Sequence, residues 1–364
     1  MSIKNKIVKE LAADYLFPWQ RRKRKAQLRK LAACTLGGAA ACVAARTLWR
    51  KCTAEDLTGK AVLITGGSRG LGLKLAREFA RQGARVAICA RDEKELKFAS
   101  IQLLSEGYAV LPLPCDLNDR QQVEALIHEV KNDFGQLDVL VNNAGIINVG
   151  PVESMTAEDF EQAMQTNYFA ALYAVLAALP DMQARRSGHL VNIVSMGGKI
   201  SVPHLMPYSA SKFALAGLSK GLQAELKKDG IAVTTVYPGL MRTGSPRNAT
   251  FKGQHRAEYA WFSISDALPF TSMSAQRAAC QIVSACKNRE GEVVLSLPAK
   301  IADQVNSCFP ALTTHLMGLV NQCLPAPGGI GKASATGEES ESSWSPSWLT
   351  TLNEEAALRN NQIQ

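Results

Sequence analysis

The sequence predicts an α/β fold, a doubly wound parallel sheet with helices on both faces built as a single domain, and three observations carry that prediction. Short, near-continuous apolar runs recur from Gly59 onward: AVLITG (61–66), ARVAICA (84–90), AVLPLPC (109–115), DVLVNN (138–143), HLVNIVS (189–195), IAVTTVYP (231–238) and EVVLS (292–296). Runs without polar alternation suit strands buried on both faces. Helix-period stretches such as LKLAREFARQG and QQVEALIHEVKNDFG lie between most of them, and strands alternating with helices build parallel sheets. Finally, TGGSRGLG at 65–72 closes the first run and opens the first helix, which is where a doubly wound sheet places a glycine turn.

Ahead of the first strand lies a basic arm, residues 1–53. Its first 51 residues hold 13 Lys or Arg against Glu10 and Asp14, a net of +11 in a chain whose total is +9, so the body is near neutral. A near-neutral body excludes nucleic-acid binding as its task. Within the arm, RRKRK at 21–25 precedes the uncharged run LAACTLGGAAACVAA at 31–45, and Arg46, Arg50 and Lys51 follow. The run is short of the roughly 20 residues that span a bilayer, and Ala, Gly and Cys add little insertion energy. A spanning or embedded helix, a surface-lying anchor on anionic lipid and a helix packed on the body all remain open, which makes a membrane surface a candidate partner. The long charged lead argues against a cleaved secretory signal. Nine cysteines, an odd number with no CxxC pair, point to a reducing, cytoplasmic compartment with neither a disulfide framework nor a metal site.

In the first turn, Gly66, Gly70 and Gly72 have no β-carbon, so the backbone can bend tightly, approach a diphosphate and present a helix N-terminus to its charge. The GxxxGxG spacing suits a Rossmann-like dinucleotide turn that includes Ser68, Arg69 and Leu71; a plain strand-to-helix turn would use the same glycines. The second strand ends ICARD, with Ala90 where an NAD-binding fold places an acid for the ribose 2′-hydroxyl. Arg91, together with Arg69, suits a 2′-phosphate. NADP(H) is therefore favoured over NAD(H), with Asp92 next door keeping the alternative open.

Further along, YSASK at 208–212 sets Tyr208 four residues before Lys212, which places both on one helical face. A free phenol titrates near 10, and an adjacent ammonium together with an oxidised nicotinamide is expected to lower it. In chain order, TGGSRGLG, CDL with Asp116, NNAG at 142–145, Asn167 in MQTNYFA, NIVS ending at Ser195, YSASK, and PGLMRT at 238–243 together resemble the classical short-chain dehydrogenase/reductase family over residues 55–300. The resemblance implies that Gly66, Ser68, Arg69, Gly70, Leu71, Gly72 and Arg91 meet the dinucleotide, Asp116 and Leu117 the adenine end, and Asn142, Ala144 and Gly145 the cofactor-side wall. Pro238, Gly239 and Thr243 fall beside the nicotinamide, with Thr243 at its carboxamide. Asn167, Ser195, Tyr208 and Lys212 become the catalytic set, Tyr208 and Lys212 also touching cofactor.

On that resemblance the expected activity is hydride transfer between NADPH and a carbonyl carbon. Tyr208 exchanges the proton, Ser195 steadies the oxygen, Lys212 holds the nicotinamide ribose, and Asn167 steadies a water that feeds protons to Lys212. A homo-oligomer, dimer or tetramer, is also implied. The stretch 244–272, with Phe251, Tyr259, Trp261, Phe262 and Phe270, falls where the family builds a substrate lid, so a small lipophilic carbonyl or alcohol suits it; the same aromatics would serve a lid that merely packs on the sheet. His204, Leu205 and Met206 are candidates for the cleft wall. Residues 301–326 form an apolar C-terminal segment, and 327–364, rich in Gly, Ser, Glu and Pro, read as a flexible tail beyond the catalytic domain of 54–300. The rival class is a membrane-tethered NADP-binding or scaffold protein without turnover.

Overall fold

The structure, a computed structural model, describes residues 54–269 and 271–362; the basic arm with its run at 31–45, and Phe270 of the lid, lie outside the described residues. Each apolar run forms a strand: β1 (Ala61–Thr65), β2 (Arg85–Ala90), β3 (Val110–Pro114), β4 (Val139–Asn142), β5 (Gly188–Ile193), β6 (Ile231–Tyr237) and β7 (Glu292–Val294). They make one sheet in the order β7-β6-β5-β4-β1-β2-β3, with every neighbouring pair parallel. Alternation along β1 divides its side chains between two cores: Val62 and Ile64 face one, Leu63 the other, and all three are fully buried.

Helices α1 (Gly70–Arg81), α2 (Glu93–Ser105), α3 (Arg120–Phe134), α4 (Ala157–Met164), α5 (Ala170–Arg185), α6 (Met206–Leu226), α7 (His255–Ala267) and α8 (Ala275–Lys287) follow in chain order. The first core joins the sheet to α1, α2 and α8 through Leu73, Phe79, Leu96, Leu103 and Ile282. The second joins it to α3 and α5 through Val123, Ile127, Val175 and Met182. Asp92 and Asp119 accept backbone hydrogen bonds at the starts of α2 and α3, so each helix begins where its orphan amides find an oxygen. Because β1 and β4 are neighbours while their connections leave toward opposite faces, a crevice opens beyond their C-terminal ends, the switch point at which such sheets bind ligands.

Beyond β7 the chain forms α9 (Leu297–Cys308) and α10 (Pro310–Asn321). In α10 only Thr313 is buried; Leu312, Leu316, Leu319 and Val320 are exposed, as is Phe309 at its start, 61% accessible. Among the described residues no helix is long and apolar enough to cross a membrane.

Residues 327–362 do not form the flexible tail that their composition suggests. Ala335–Thr336 pairs antiparallel with Thr250–Phe251, which in turn pairs with Asn148–Val149, and α11 (Thr351–Arg359) packs against α7. The reason is that this segment is held by backbone pairing and close approach rather than by apolar burial. A β-carbon at Gly329 would lie 2.4 Å from the Gly253 oxygen, and one at Gly337 would lie 2.2 Å from that of Pro246.

One buried titratable group belongs to this scaffold. His189, on β5, is 3% exposed; its Nε2 lies 2.8 Å from the Thr234 hydroxyl and its Nδ1 3.4 Å from the Cys286 sulfur. Burial, helped by the positive charge of Arg289, pushes the imidazole down to about 3. The unfolded chain binds a proton below its ordinary value near 6.5 that the folded chain refuses, so this contribution is complete above that value and is lost as pH falls toward 3. His189→Gln, which keeps an amide for Thr234, should flatten the acid limb of stability, measured as urea midpoints at about pH 4.5 and about pH 7. An unchanged slope would assign acid lability to other groups.

Candidate active site

The glycine turn is shaped by contacts that only hydrogen permits. Gly66 and Gly70 have φ of +63° and +59°, and a β-carbon at Gly72 would lie 2.0 Å from the Gly66 carbonyl oxygen. Gly66 also abuts the turn after β4, its absent β-carbon falling 3.0 Å from Ala144 Cα. Thr65 fastens the two turns: its hydroxyl accepts from the amides of Asn143 and Ala144 at 2.9 and 3.1 Å. Asn143 returns the bond, its Nδ2 donating to the Thr65 and Gly66 oxygens. Neither Thr65 nor Asn143 is among the expected site residues; the first N of NNAG draws attention to Asn142, although the second makes these contacts. Asn142 itself turns into the sheet, donating to Asn192 Oδ1, which belongs to a buried chain through Ser219 to Thr235.

At the expected adenine end, Ser68 and Arg69 both donate to Glu95, and Arg69 also donates to Asn248 Oδ1 at 2.9 Å. Arg91 is exposed at the C-terminal end of β2. Asp116 stands after β3, its Oδ1 accepting from the Asn118 amide, with Leu117 buried beside it. Leu71 is buried in the first turn of α1. On the opposite lip, Pro238 and Thr243 are buried, Gly239 lies against Ala299, and Thr243 Oγ1 accepts from the Ser245 amide. These residues fit a dinucleotide: a turn without β-carbons, a helix N-terminus and basic groups at the far end.

The expected catalytic set comes together around the start of α6. Tyr208 and Lys212 share a face, with Lys212 Nζ 5.7 Å from the Tyr208 ring centre. Ser195 and the Tyr208 ring meet at Gly197, where a β-carbon would lie 3.1 Å from Tyr208 Cε1 and 3.5 Å from Ser195 Oγ; Ser195 Oγ accepts from the Gly197 amide at 3.0 Å, which holds the hydroxyl in place. Lys212 is buried and donates to the Ile193 oxygen at 3.0 Å. Asn167 lies in a short π-helical segment, Gln165–Phe169, between α4 and α5. Its Oδ1 accepts from the Ile146 amide at 2.8 Å, and its Nδ2 donates to the Ile146 oxygen and to Ser211 Oγ. Gly145 brings it close to Lys212: a β-carbon there would lie 2.8 Å from Asn167 Oδ1 and 3.4 Å from Lys212 Nζ.

Electrostatics departs from the expectation of a lowered phenol. Burial pushes Tyr208 up to about 12 against neighbouring Ser195, which lowers it, and the negative charge of Asp266 adds to the rise. Burial also drives Lys212 down to about 8. Within the protein's own groups, desolvation therefore outweighs the neighbouring ammonium, because a charge loses more on leaving water than it gains from a partner this far away. Asp266, on α7, was not expected here; burial raises it to about 7, opposed by a hydrogen bond from Met241.

The lid packs on this site. Tyr208, Ile147, Val202 and Trp261 gather around a buried cluster of Val149, Leu205, Phe251, Tyr259 and Phe262. His204, at φ +62°, places Nδ1 2.8 Å from Oε1 of fully buried Glu258, whose Oε2 accepts from Trp261 Nε1 at 2.6 Å. His204 thus clamps α7 to the start of α6. Met206 is exposed.

The sequence pattern of the family described as short chain dehydrogenase matches residues 60–252. A Dehydrogenase/reductase SDR family protein 7-like of Anopheles gambiae is 37% identical over 250 residues, covering 67% of this chain and 77% of that one. Dehydrogenase/reductase SDR family member 7B of Bos taurus is 33% identical over 263 residues, 70% of this chain and 79% of its own. Among solved structures, a gluconate 5-dehydrogenase from Burkholderia cenocepacia, in complex with NADP and tartrate, superposes with a TM-score of 0.59 at 28% identity, covering 67% of this chain and 96% of that one.

Gly145→Ala should displace the Asn167 carboxamide and lower turnover at least about tenfold, a barrier change of about 1.4 kcal/mol, while the exposed position of Gly145 leaves the fold intact. Turnover measured beside a thermal melt checks this; unchanged turnover would show that Asn167 need not sit where it does.

Proposed function

We propose, because the chain belongs to the short chain dehydrogenase family and is therefore an oxidoreductase of CH–OH and C=O groups, that it transfers hydride between NADP(H) and a small lipophilic carbonyl or alcohol. The observation that carries this reading is that Tyr208 and Lys212 share one helix face, with Tyr208 Cε1 and Ser195 Oγ meeting at Gly197. The bound nicotinamide supplies the hydride in reduction and accepts it in oxidation. Tyr208 donates its proton to the carbonyl oxygen as negative charge develops there, and Ser195 donates a hydrogen bond to the same oxygen. Lys212 orients the cofactor ribose, and its ammonium favours proton loss from Tyr208. Asn167, fixed by Ile146 and Ser211, steadies the path that returns a proton to Lys212.

Two features support the finer parts of this reading. Ala90 at the end of β2, with Arg91 exposed beside it, favours a 2′-phosphate, and the related gluconate 5-dehydrogenase was solved with NADP. Apolar Ile147, Val202 and Trp261 pack, with Tyr208, against one buried apolar cluster, which suits a lipophilic substrate. We assign a cytoplasmic membrane surface as its location. The arm carries a net +11, and α10 exposes a row of leucines in a stretch, 309–325, that has no charged residue; charge and modest apolar burial add where neither suffices alone.

Tyr208→Phe should retain NADPH binding and lose nearly all reduction of a carbonyl panel, followed as NADPH consumption. Activity within about tenfold of the unmodified protein would end the assigned role. Titrations in the same experiment should show NADPH binding tighter than NADH, and equal affinities would remove the argument from Arg91. For the membrane, the full chain should float with anionic vesicles and a chain beginning at Ala54 should not; equal flotation would move the contact to α10.

A further inference from the structure

The turn that faces the crevice already has a ligand in this chain. The first amides of a helix have no acceptor within it, and a helix N-terminus attracts negative charge. At the start of α1, the Gly70 amide donates to the backbone oxygen of Asn360 at 2.8 Å. Gln362 stands over the same residue, its Nε2 2.7 Å from where a Gly70 β-carbon would be, and Asn361 Nδ2 donates to the Ser68 oxygen at 3.3 Å.

The same segment grips the opposite lip. Asn360 Nδ2 donates to the Thr243 oxygen at 3.1 Å, and Asn353 Oδ1 accepts from the Gly244 amide at 3.0 Å. Contact there is tight, since a β-carbon at Gly244 would fall 2.4 Å from Ala357 Cα. Asn248 donates from Nδ2 to Gln362 Oε1 at 2.6 Å while its Oδ1 accepts from Arg69. The guanidinium suited to a 2′-phosphate is thereby tied to the segment as well.

We propose that residues 351–362 and the diphosphate of the dinucleotide are alternative ligands of the glycine turn, so that the C-terminal segment closes the crevice until cofactor displaces it. The proposal rests on the dinucleotide reading above. A peptide oxygen on the Gly70 amide is a neutral counterpart of a phosphate oxygen, and both cannot hold that position. Asn353, Asn360 and Asn361 are buried with neutral hydrogen bonds to backbone, which contribute little net free energy each, whereas a diphosphate makes charge-assisted ones. The exchange therefore runs toward cofactor, at an affinity reduced by the fraction of molecules that are closed.

Hydrogen exchange on the full chain, with and without NADPH, tests this beside binding titrations of the unmodified protein and Asn353→Ala/Asn360→Ala. NADPH should protect residues 66–72 and speed exchange in 351–361, and the double variant should bind NADPH about tenfold tighter. Protection or indifference of 351–361 while 66–72 are protected would make the segment a fixed wall and overturn the competition, leaving the cofactor reading intact; so would equal or weaker binding by the variant. No protection of 66–72 by NADPH or NADH would remove the cofactor reading and the competition with it. The exchange measurement needs no substitution, so it decides even if the variant fails to fold.

Discussion

The approach of the first turn of α1 to the Gly66 carbonyl is the contact on which the rest of the site depends. With 2.0 Å between that oxygen and the place of a Gly72 β-carbon, any side chain would lift the helix off β1. The helix axis, the direction of its free amides and the contact between Gly66 and Ala144 would all shift together. Because Thr65 and Asn143 lock the turn after β1 to the turn after β4, the two turns keep one spacing. Gly145 then carries the same geometry onward to Asn167 and Lys212, so the cofactor side and the proton-transfer side are set by one piece of backbone.

Three ionisable groups around that backbone are held away from their ordinary behaviour by the same cause. Burial raises Tyr208 and Asp266 and lowers Lys212, in each case favouring the uncharged form. A site arranged this way responds to whatever charge enters it. Positive charge brought near the phenol favours its ionised form, and an anion near Lys212 favours the ammonium. The resting protein therefore does not display the proton affinities these groups have with a charge beside them, and the low polarity that suppresses charge at rest strengthens each interaction once a charge is present.

What could be read in the sequence follows from how local the signal is. The strands were legible because burial on both faces leaves uninterrupted apolar runs, and Tyr208 with Lys212 because helical spacing alone puts them on one face. Asn143 was not, since it works through backbone oxygens that no spacing reveals, and Asp266 was not, since its position depends on how α7 folds over the cleft. The sequence points to a phenol lowered by its neighbour together with an oxidised nicotinamide; among the protein's own groups burial outweighs the neighbour, because spacing reports adjacency but says nothing of desolvation. Residues 327–362 are the least legible, because composition measures the capacity to bury apolar surface, whereas this segment is fixed by Gly329, Gly337 and three asparagines meeting backbone.

The π-helical segment at Gln165–Phe169 sets a rotational phase. Asp159, Ala163, Asn167 and Ala171 are all buried, one every four residues. Over the twelve residues from the first to the last, an α-helix at 3.6 per turn rotates about three and a third turns, which would carry Ala171 roughly a third of the way round the rod. The wide turn takes up one residue and cancels that drift, so α4 and α5 present a single line with Asn167 at the slip itself. The carboxamide is thus aimed by a count of residues rather than by its neighbours alone: one residue gained or lost anywhere between Asp159 and Ala171 turns the two helices about 100° out of step. Geometry constrains the length of that stretch, whatever freedom composition has.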